Sequence, residues 1–187
     1  AVKKVLFQTI LLIFSLNYNV NLAELNQGDS EQARIELLKC CGSRKWVNNI
    51  LAARPFSSVD QLYAQAKDIW LELDKDDYLD AFAAHPKIGE SKVPEKAKNT
   101  ESWTREEQAG MLNADDPVKL ELEKQNYKYE KKFGYIFIVC ATGKSAEEML
   151  DMLQQRLENI PLIELNIAAC EQNKITILRL NNMLAYD

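Results

Sequence analysis

The sequence predicts an all-α protein, a single-domain bundle of about eight helices with a short extended buried segment near residues 135–141. Six glycines and five prolines, 11 of 187 residues, are about half the usual share, and so few turn-forming residues favour helices. Hydrophobic residues make up 47% and charged residues 27% of the chain, as in an ordinary globular protein with one core.

Local signals mark where the predicted helices begin. Ser, Thr or Asp accepts hydrogen bonds from the free N–H groups of a first helical turn, and Glu or Gln three positions later completes a capping box. Proline favours the first turn and disfavours the helical conformation of the residue before it. The predicted helices begin at Asp29 or Ser30, Ser43, Ser58, about Lys75, Thr104, Asp116-Pro117, Ser145 and Pro161.

Two segments in the second half of the chain need separate interpretation. The seven apolar residues after Gly134 resemble a buried strand, but a single strand has no partner. We therefore expect an extended buried connection or the start of a helix there. In the final helix, apolar spacing predicts a buried face formed by Ile163, Ile167, Cys170, Ile177 and Leu184.

The N-terminal residues 1–21 differ from the rest of the chain. Lys3 and Lys4 precede an apolar stretch from Val5 to Leu16, which is too short to cross a bilayer but suits the core of a signal peptide. Three interpretations remain open: a wrongly assigned start or expression remnant, an export signal, or an extra packing helix. We expect an extension over 1–21, a domain over 22–187, and a cytoplasmic location by default.

Charge and histidine content exclude several classes of function. The net charge of −5 provides no basic face for nucleic acid. With one histidine and no Cys-His zinc spacing, the chain cannot form a multi-histidine metal site, so we expect no metal. If the protein uses an imidazole in acid–base catalysis, that imidazole belongs to His85.

The segment 85–90, His-Pro-Lys-Ile-Gly-Glu, is the most distinctive motif. Because Pro86 disfavours the helical conformation of the residue before it, we expect His85 to extend from a helix end into a polar loop. An imidazole there suits proton transfer near neutral pH. The alternative is a histidine at the surface, or one with internal partners and no catalytic role.

A second motif, Thr104-Arg-Glu-Glu107-Gln108, has two interpretations. It can simply cap a helix. The same N-terminal N–H groups can also bind an anion, with Glu107 and Gln108 facing a cleft. Arg156 and Arg179 lie on apolar helices, where each could form an internal ion pair or hold a substrate carboxylate.

Taken together, these segments resemble the 2-oxo-4-hydroxy-4-carboxy-5-ureidoimidazoline (OHCU) decarboxylases of urate breakdown, from about Leu22 to Leu184. Each segment is weak alone, but the ordered set is specific. The segments are Cys40-Cys41-Gly42-Ser43 with Trp46, Arg54-Pro55-Phe56, residues 85–90, Thr104-x-x-Glu107-Gln108, Asn126-x-x-Tyr129-x-x-Lys132-Phe133-Gly134, residues 135–141, Arg156-Leu157-x-Asn159, Glu164 and Lys174-Ile175-x-x-Leu178-Arg179-Leu180.

The resemblance implies a set of site residues. His85 and Glu107 correspond to the catalytic pair of the family, and Thr104 stands where many members have Ser. The family's arginine is placed on Arg179, with Arg156 as the alternative. The implied substrate-binding residues are Pro86, Thr104, Gln108, Tyr135, Ile136, Phe137, Ile138, Val139 and Arg179.

The resemblance also implies an activity and a mode of assembly. Family members are all-α, usually dimeric and free of cofactors, so we expect a homodimer that converts OHCU, a small anionic substrate, to (S)-allantoin and CO₂. We expect neither a membrane nor a nucleic-acid partner. Two alternatives are a non-catalytic helical binding domain and a relative that acts on another ureido or imidazolone acid.

Overall fold

A computed structural model of the chain describes residues 21–88, 104, 109–111 and 114–184, and these residues form a helical fold. The expectations for residues 1–20 and for most of the helix predicted at Thr104 lie outside these ranges. The helices are α1 (Leu22–Gln27), α2 (Ser30–Cys40), α3 (Arg44–Ala52), α4 (Val59–Leu71), α5 (Lys75–Phe82), α6 (Asp116–Phe133), α7 (Ala146–Arg156) and α8 (Pro161–Leu184), with a 3₁₀ turn at Ala109–Met111.

The predicted all-α class is therefore confirmed, and the described part of the chain contains no strand. The predicted caps at Ser43, Ser58 and Ser145 each accept the N–H of the residue three positions later, at 3.1–3.2 Å. The sequence analysis did not identify α1, which starts at a capping box formed by Asn21 and Glu24. No described helix is both long and apolar enough to cross a membrane.

Helix α8 is the central element because α2, α4 and α5 all pack against it, while α6 packs against α7. Two buried tryptophans join the layers by hydrogen bonds as well as by contact. The indole N–H of Trp46 donates to the carbonyl of Ala66 at 3.0 Å, and that of Trp70 donates to the carbonyl of Ala169 at 2.9 Å. These bonds fix α3 on α4, and α4 on α8.

The buried face of α8 differs from the predicted one. Leu184 is buried as expected, but Ile163 is 48% exposed, Cys170 is exposed, and Ile167 and Ile177 are only half-buried. The helix instead buries an inner polar row, Glu164, Glu171, Gln172, Thr176 and Arg179, together with the apolar residues Ala168, Ala169, Ile175, Leu180, Met183 and Leu184. The prediction from apolar spacing was wrong because these polar groups have hydrogen-bond or ionic partners inside the protein. Those partners offset most of the free-energy cost of burying them.

The apolar segment 135–141 is a buried connection between α6 and α7 rather than a helix start. It begins after Gly134, whose φ of 82° lies in the left-handed region that glycine adopts without strain. Three charged side chains fix its backbone. Arg156 donates to the carbonyl of Ile138 at 2.8 Å, Lys144 donates to that of Cys140 at 2.7 Å, and Glu171 accepts the N–H of Cys140 at 2.8 Å. The chain thus holds an unpaired extended segment without a sheet.

Candidate active site

An open cleft of about 390 Å³, counting its mouth, lies where the end of α5 meets segment 135–141 and α8. Backbone and apolar side chains form much of its wall, and a few polar groups point to a small polar ligand. The residues that line it are His85, Pro86, Ile88, Thr104, Phe137, Ile138, Val139, Cys140, Ala141, Thr142 and Ile175.

The end of α5 determines the position of His85. The helix ends at Phe82, and the N–H of His85 closes a tight turn by donating to the Phe82 carbonyl at 3.1 Å. Pro86 follows and prevents a further helical turn. As a result His85 leaves the helix end half-buried, with its ring at the cleft.

His85 lies in surroundings that favour the neutral imidazole. Its Nε2 is 2.8 Å from Oε1 of Gln172 on α8. Burial, and then the positive charge of nearby Arg179, lower the pKa of His85 to about 3, although the Gln172 hydrogen bond acts in the opposite direction. At neutral pH the ring therefore has one protonated nitrogen and one lone pair, and it can accept a proton.

Thr104 provides a buried hydroxyl at the cleft. Its side chain is 7% exposed, and Oγ1 has no hydrogen-bond partner among the described residues. A buried hydroxyl without a partner costs free energy unless a ligand or water satisfies it. Thr104 therefore fits a ligand contact. Glu107 and Gln108, its predicted companions, lie outside the described residues.

Segment 135–141 contributes to the cleft through part of its predicted length. Phe137, Ile138 and Val139 line it as expected, whereas Tyr135 and Ile136 are absent from its lining. The ring of Tyr135 packs in the core against that of Phe82, with the centroids 5.2 Å apart. No hydrogen-bond partner among the described residues accepts the N–H of Val139.

The two candidate arginines differ in their partners. Arg156 is buried in an ion pair with Glu164, at 2.6 Å between Nη2 and Oε1, and it also holds the Ile138 carbonyl. The guanidinium of Arg179 is buried close enough to lower the pKa of His85, and it donates to the carbonyl of Lys39 at 3.1 Å. Arg179 is not among the residues that line the cleft.

Several lining residues were not predicted from the sequence, namely Ile88, Cys140, Ala141, Thr142 and Ile175, together with Gln172 behind His85. Cys140 and Ala141 belong to the apolar run and Thr142 follows it, so a predicted site that did not stop at Val139 would have included them. Gln172 was not identified from the sequence, because the buried face of α8 was predicted from its isoleucines and Cys170. A Gln, Thr and Arg at spacings of four and three, Gln172, Thr176 and Arg179, is the pattern that could have indicated this face.

In the described part of the chain, the fold and cleft define a helical protein in which an imidazole, a buried hydroxyl and the backbone of an extended segment line one open cleft. The family model described as OHCU decarboxylase matches residues 26–181. The chain belongs to the OHCU decarboxylase family.

Comparison with individual relatives supports the same family assignment. The chain is 39% identical over 148 residues to the uric acid degradation bifunctional protein TTL of Arabidopsis thaliana, covering 78% of this chain and 45% of that protein. It is 28% identical to the OHCU decarboxylase of Amia calva, over 72% of this chain and 77% of that one. This chain spans less than half the length of the bifunctional uric acid degradation proteins to which it is similar.

The fold also matches solved structures. A crystal structure of OHCU decarboxylase in the presence of (S)-allantoin aligns with a TM-score of 0.71 and 34% identity, over 84% of this chain and 99% of that one. A crystal structure of (S)-allantoin synthase aligns with a TM-score of 0.64 at 20% identity, which supports the fold alone.

Proposed function

We propose that this chain decarboxylates OHCU to (S)-allantoin and CO₂, with no cofactor, in the breakdown of urate. The observation that carries the proposal is the cleft itself, where a neutral His85 lies beside the buried hydroxyl of Thr104 and the backbone of segment 135–141. Family membership supports the same chemistry, and a related OHCU decarboxylase was crystallised in the presence of (S)-allantoin.

The reaction breaks the bond between the ring carbon and its carboxylate. The electron pair stays on the ring carbon while CO₂ leaves, and conjugation with the ring carbonyl and nitrogen spreads the negative charge. A proton then adds to one face of that carbon. Because the ring itself delocalises the charge, the protein needs only to orient the carboxylate, stabilise the charge and deliver the proton.

The chain's residues suit these tasks. His85 and Glu107 are the proposed proton-handling pair. Thr104, Pro86, Gln108 and the backbone of segment 135–141 would bind the flat, amide-rich ring. Arg179 is the proposed contact for the substrate carboxylate, because its positive charge acts on His85 at the cleft, and Arg156, which holds Glu164 and the Ile138 carbonyl, is the alternative. Because Arg179 is not among the lining residues, contact with the ligand requires its side chain to extend toward the cleft.

The experiment that tests this proposal is circular dichroism during turnover of freshly made OHCU. Enzymatic formation of (S)-allantoin produces an optical signal, whereas spontaneous decay gives a racemic product. A non-catalytic binding domain would give no signal, and a relative with another substrate would give none with OHCU. We expect a signal from the parent protein and a loss of at least about 100-fold in rate for His85→Asn.

Matched variants separate catalysis from folding. Asn at position 85 keeps a polar group near Gln172, so the far-ultraviolet spectrum should be unchanged. Glu107→Gln keeps the side-chain oxygen that a capping role needs but removes the ionisable carboxyl group, so it should also lose most activity. Turnover by His85→Asn near the parent rate would contradict the mechanism, because the chain has no other imidazole.

We also propose that the protein is a cytoplasmic homodimer. No disulfide bond links any of its four cysteines, which suits a reducing compartment, and the dimer is proposed from the resemblance to a usually dimeric family. Sedimentation equilibrium of the purified chain tests the dimer, and localisation of a tagged full-length protein tests the compartment.

A further inference from the structure

Gln172 lies directly behind His85 and is fully buried. It belongs to the inner polar row of α8, and its Oε1 lies 2.8 Å from Nε2 of His85. This is a bond between side chains 87 residues apart, from α8 to the end of α5. A buried amide next to the only imidazole in the chain controls how that ring can be protonated.

The orientation of the Gln172 amide follows from its second partner. Its Nε2 donates to Oγ1 of Thr176, one turn further along α8, at 3.2 Å. The Thr176 hydroxyl donates its hydrogen to the buried thiol of Cys41, a bond that lowers the pKa of that thiol, so Oγ1 is left to accept from the Gln172 amide nitrogen. With the amide nitrogen on Thr176, the amide oxygen is the atom that faces the ring. An amide oxygen only accepts hydrogen bonds, so Nε2 of His85 must carry the ring proton.

We propose that Gln172, held by Thr176, is a positioning residue that keeps His85 as the Nε2–H tautomer, so that Nδ1 is the nitrogen that exchanges protons. The catalytic meaning of this inference rests on the proposed function, but the tautomer itself does not. Gln172 acts through His85 and need not contact the substrate.

The choice of an amide at this position has a physical consequence. A carboxylate 2.8 Å from the imidazole would stabilise the imidazolium, as acidic partners of histidine do. Gln172 orients the ring without adding charge, and Arg179, the charged group among the described residues that acts on His85, opposes protonation. The ring therefore stays neutral and keeps one lone pair.

Nuclear magnetic resonance of protein labelled with ¹⁵N-histidine tests the tautomer without substrate. The single histidine makes the assignment unambiguous, and ring-nitrogen shifts distinguish Nε2–H from Nδ1–H. We expect Nε2–H in the parent protein and a mixture of tautomers in Gln172→Met and Thr176→Val. Thr176→Ser keeps the hydroxyl and is the matched control, which should resemble the parent. Nδ1–H in the parent, or an unchanged tautomer in both variants, would overturn the proposal.

Kinetics and titration provide readouts that a purely structural role would not change. Gln172→Met should lower kcat about tenfold, the scale of one lost hydrogen bond, with KM within about threefold of the parent value. Gln172→Glu has the same shape and should raise the pKa of His85, seen as ring-nitrogen titration at higher pH. It also replaces Gln172→Met if that variant does not fold. An unchanged titration of His85 in Gln172→Glu would count against the contact between residue 172 and the imidazole.

The two proposals fail separately. If the parent gives no optical signal with OHCU but Gln172→Met alters the tautomer, the proposed function fails and the positioning role stands. If the parent decarboxylates OHCU and Gln172→Met keeps both tautomer and kcat, the positioning role fails alone.

Discussion

Arg156 on α7 donates from Nη1 to the carbonyl of Ile138 at 2.8 Å, so a buried cation holds the middle of the apolar segment that lines the cleft. The same guanidinium pairs with Glu164 on α8, whose second oxygen accepts from Asn159 at 2.7 Å. The Tyr129 hydroxyl also donates to Glu164. This network joins α6, α7 and α8 to the segment.

Breaking this network on one side should strongly destabilise the protein. Arg156→Met leaves Glu164 buried without its cation, and we expect the free energy of unfolding to fall by about 3–5 kcal/mol. In Arg156→Met/Glu164→Gln the unpaired charge is gone and the amide oxygen still accepts from one of Tyr129 and Asn159, so part of the loss should be recovered. Urea denaturation at pH 7 measures both. An equal loss in the two variants would show that charge is not the cause.

Glu171 should influence substrate binding through the backbone of Cys140, which lines the cleft. Its Oε2 accepts the Cys140 N–H at 2.8 Å, while its other oxygen pairs with the exposed Lys174. Glu171→Ala releases that peptide group, and we expect KM for OHCU to rise up to about tenfold. Lys174→Met removes only an exposed partner and should leave KM nearly unchanged. Steady-state kinetics of the two variants, side by side, decide whether the backbone contact matters.

The helices were predictable because their signals are local. Serine caps at Ser43, Ser58 and Ser145 and the left-handed Gly134 act within one turn of chain, so single positions suffice to identify them. The buried face of α8 was not predictable in the same way. Its burial depends on partners far away in sequence, such as His85 for Gln172, and no local pattern records these.

The residues that line the cleft were only partly predictable, for the same reason. His85, Pro86, Thr104 and residues 137–139 were predicted and lie together at the cleft. Tyr135 was grouped with them because it begins the apolar run, but its ring packs in an aromatic cluster of the core. Which residues of an irregular segment face a ligand depends on its backbone path. That path is set here by Arg156 and Glu171 from other helices.

Gly42 should matter for activity because it allows close approach of the end of α5. A Cβ at position 42 would lie 2.5 Å from Cβ of Ala84, the residue before His85. Gly42→Ala must therefore displace the turn that carries the imidazole, and we expect kcat to fall about 10- to 100-fold, as for small misplacements of catalytic groups. Gly42→Ala/Ala84→Gly restores the space and should recover most of the rate. Failure of the double variant to recover would point to a different role for Gly42.

His85 should make the protein less stable in mild acid. Its pKa is about 3 in the folded protein, and we expect its ordinary value of about 6.5 in the unfolded chain. Between these values the unfolded chain binds the extra proton, so the free energy of unfolding falls as pH drops through this window. At pH 5 the free energy of unfolding is lower by at most about 2 kcal/mol. Solvent around the half-buried ring makes this loss smaller.

The measurement compares the parent with His85→Asn by urea denaturation at pH 7 and at pH 5. Protonation of carboxylates with lowered pKa values, such as those of Asp74 and Glu171, also destabilises the folded protein in acid. These contributions are the same in both proteins, so they cancel in the difference. Since the chain has no other histidine, the remaining difference belongs to His85. We expect the parent to lose more stability than the variant between these two pH values. Equal losses would mean that the folded protein protonates His85 as readily as the unfolded chain, so burial and the charge of Arg179 would not lower the pKa of the imidazole in the cleft.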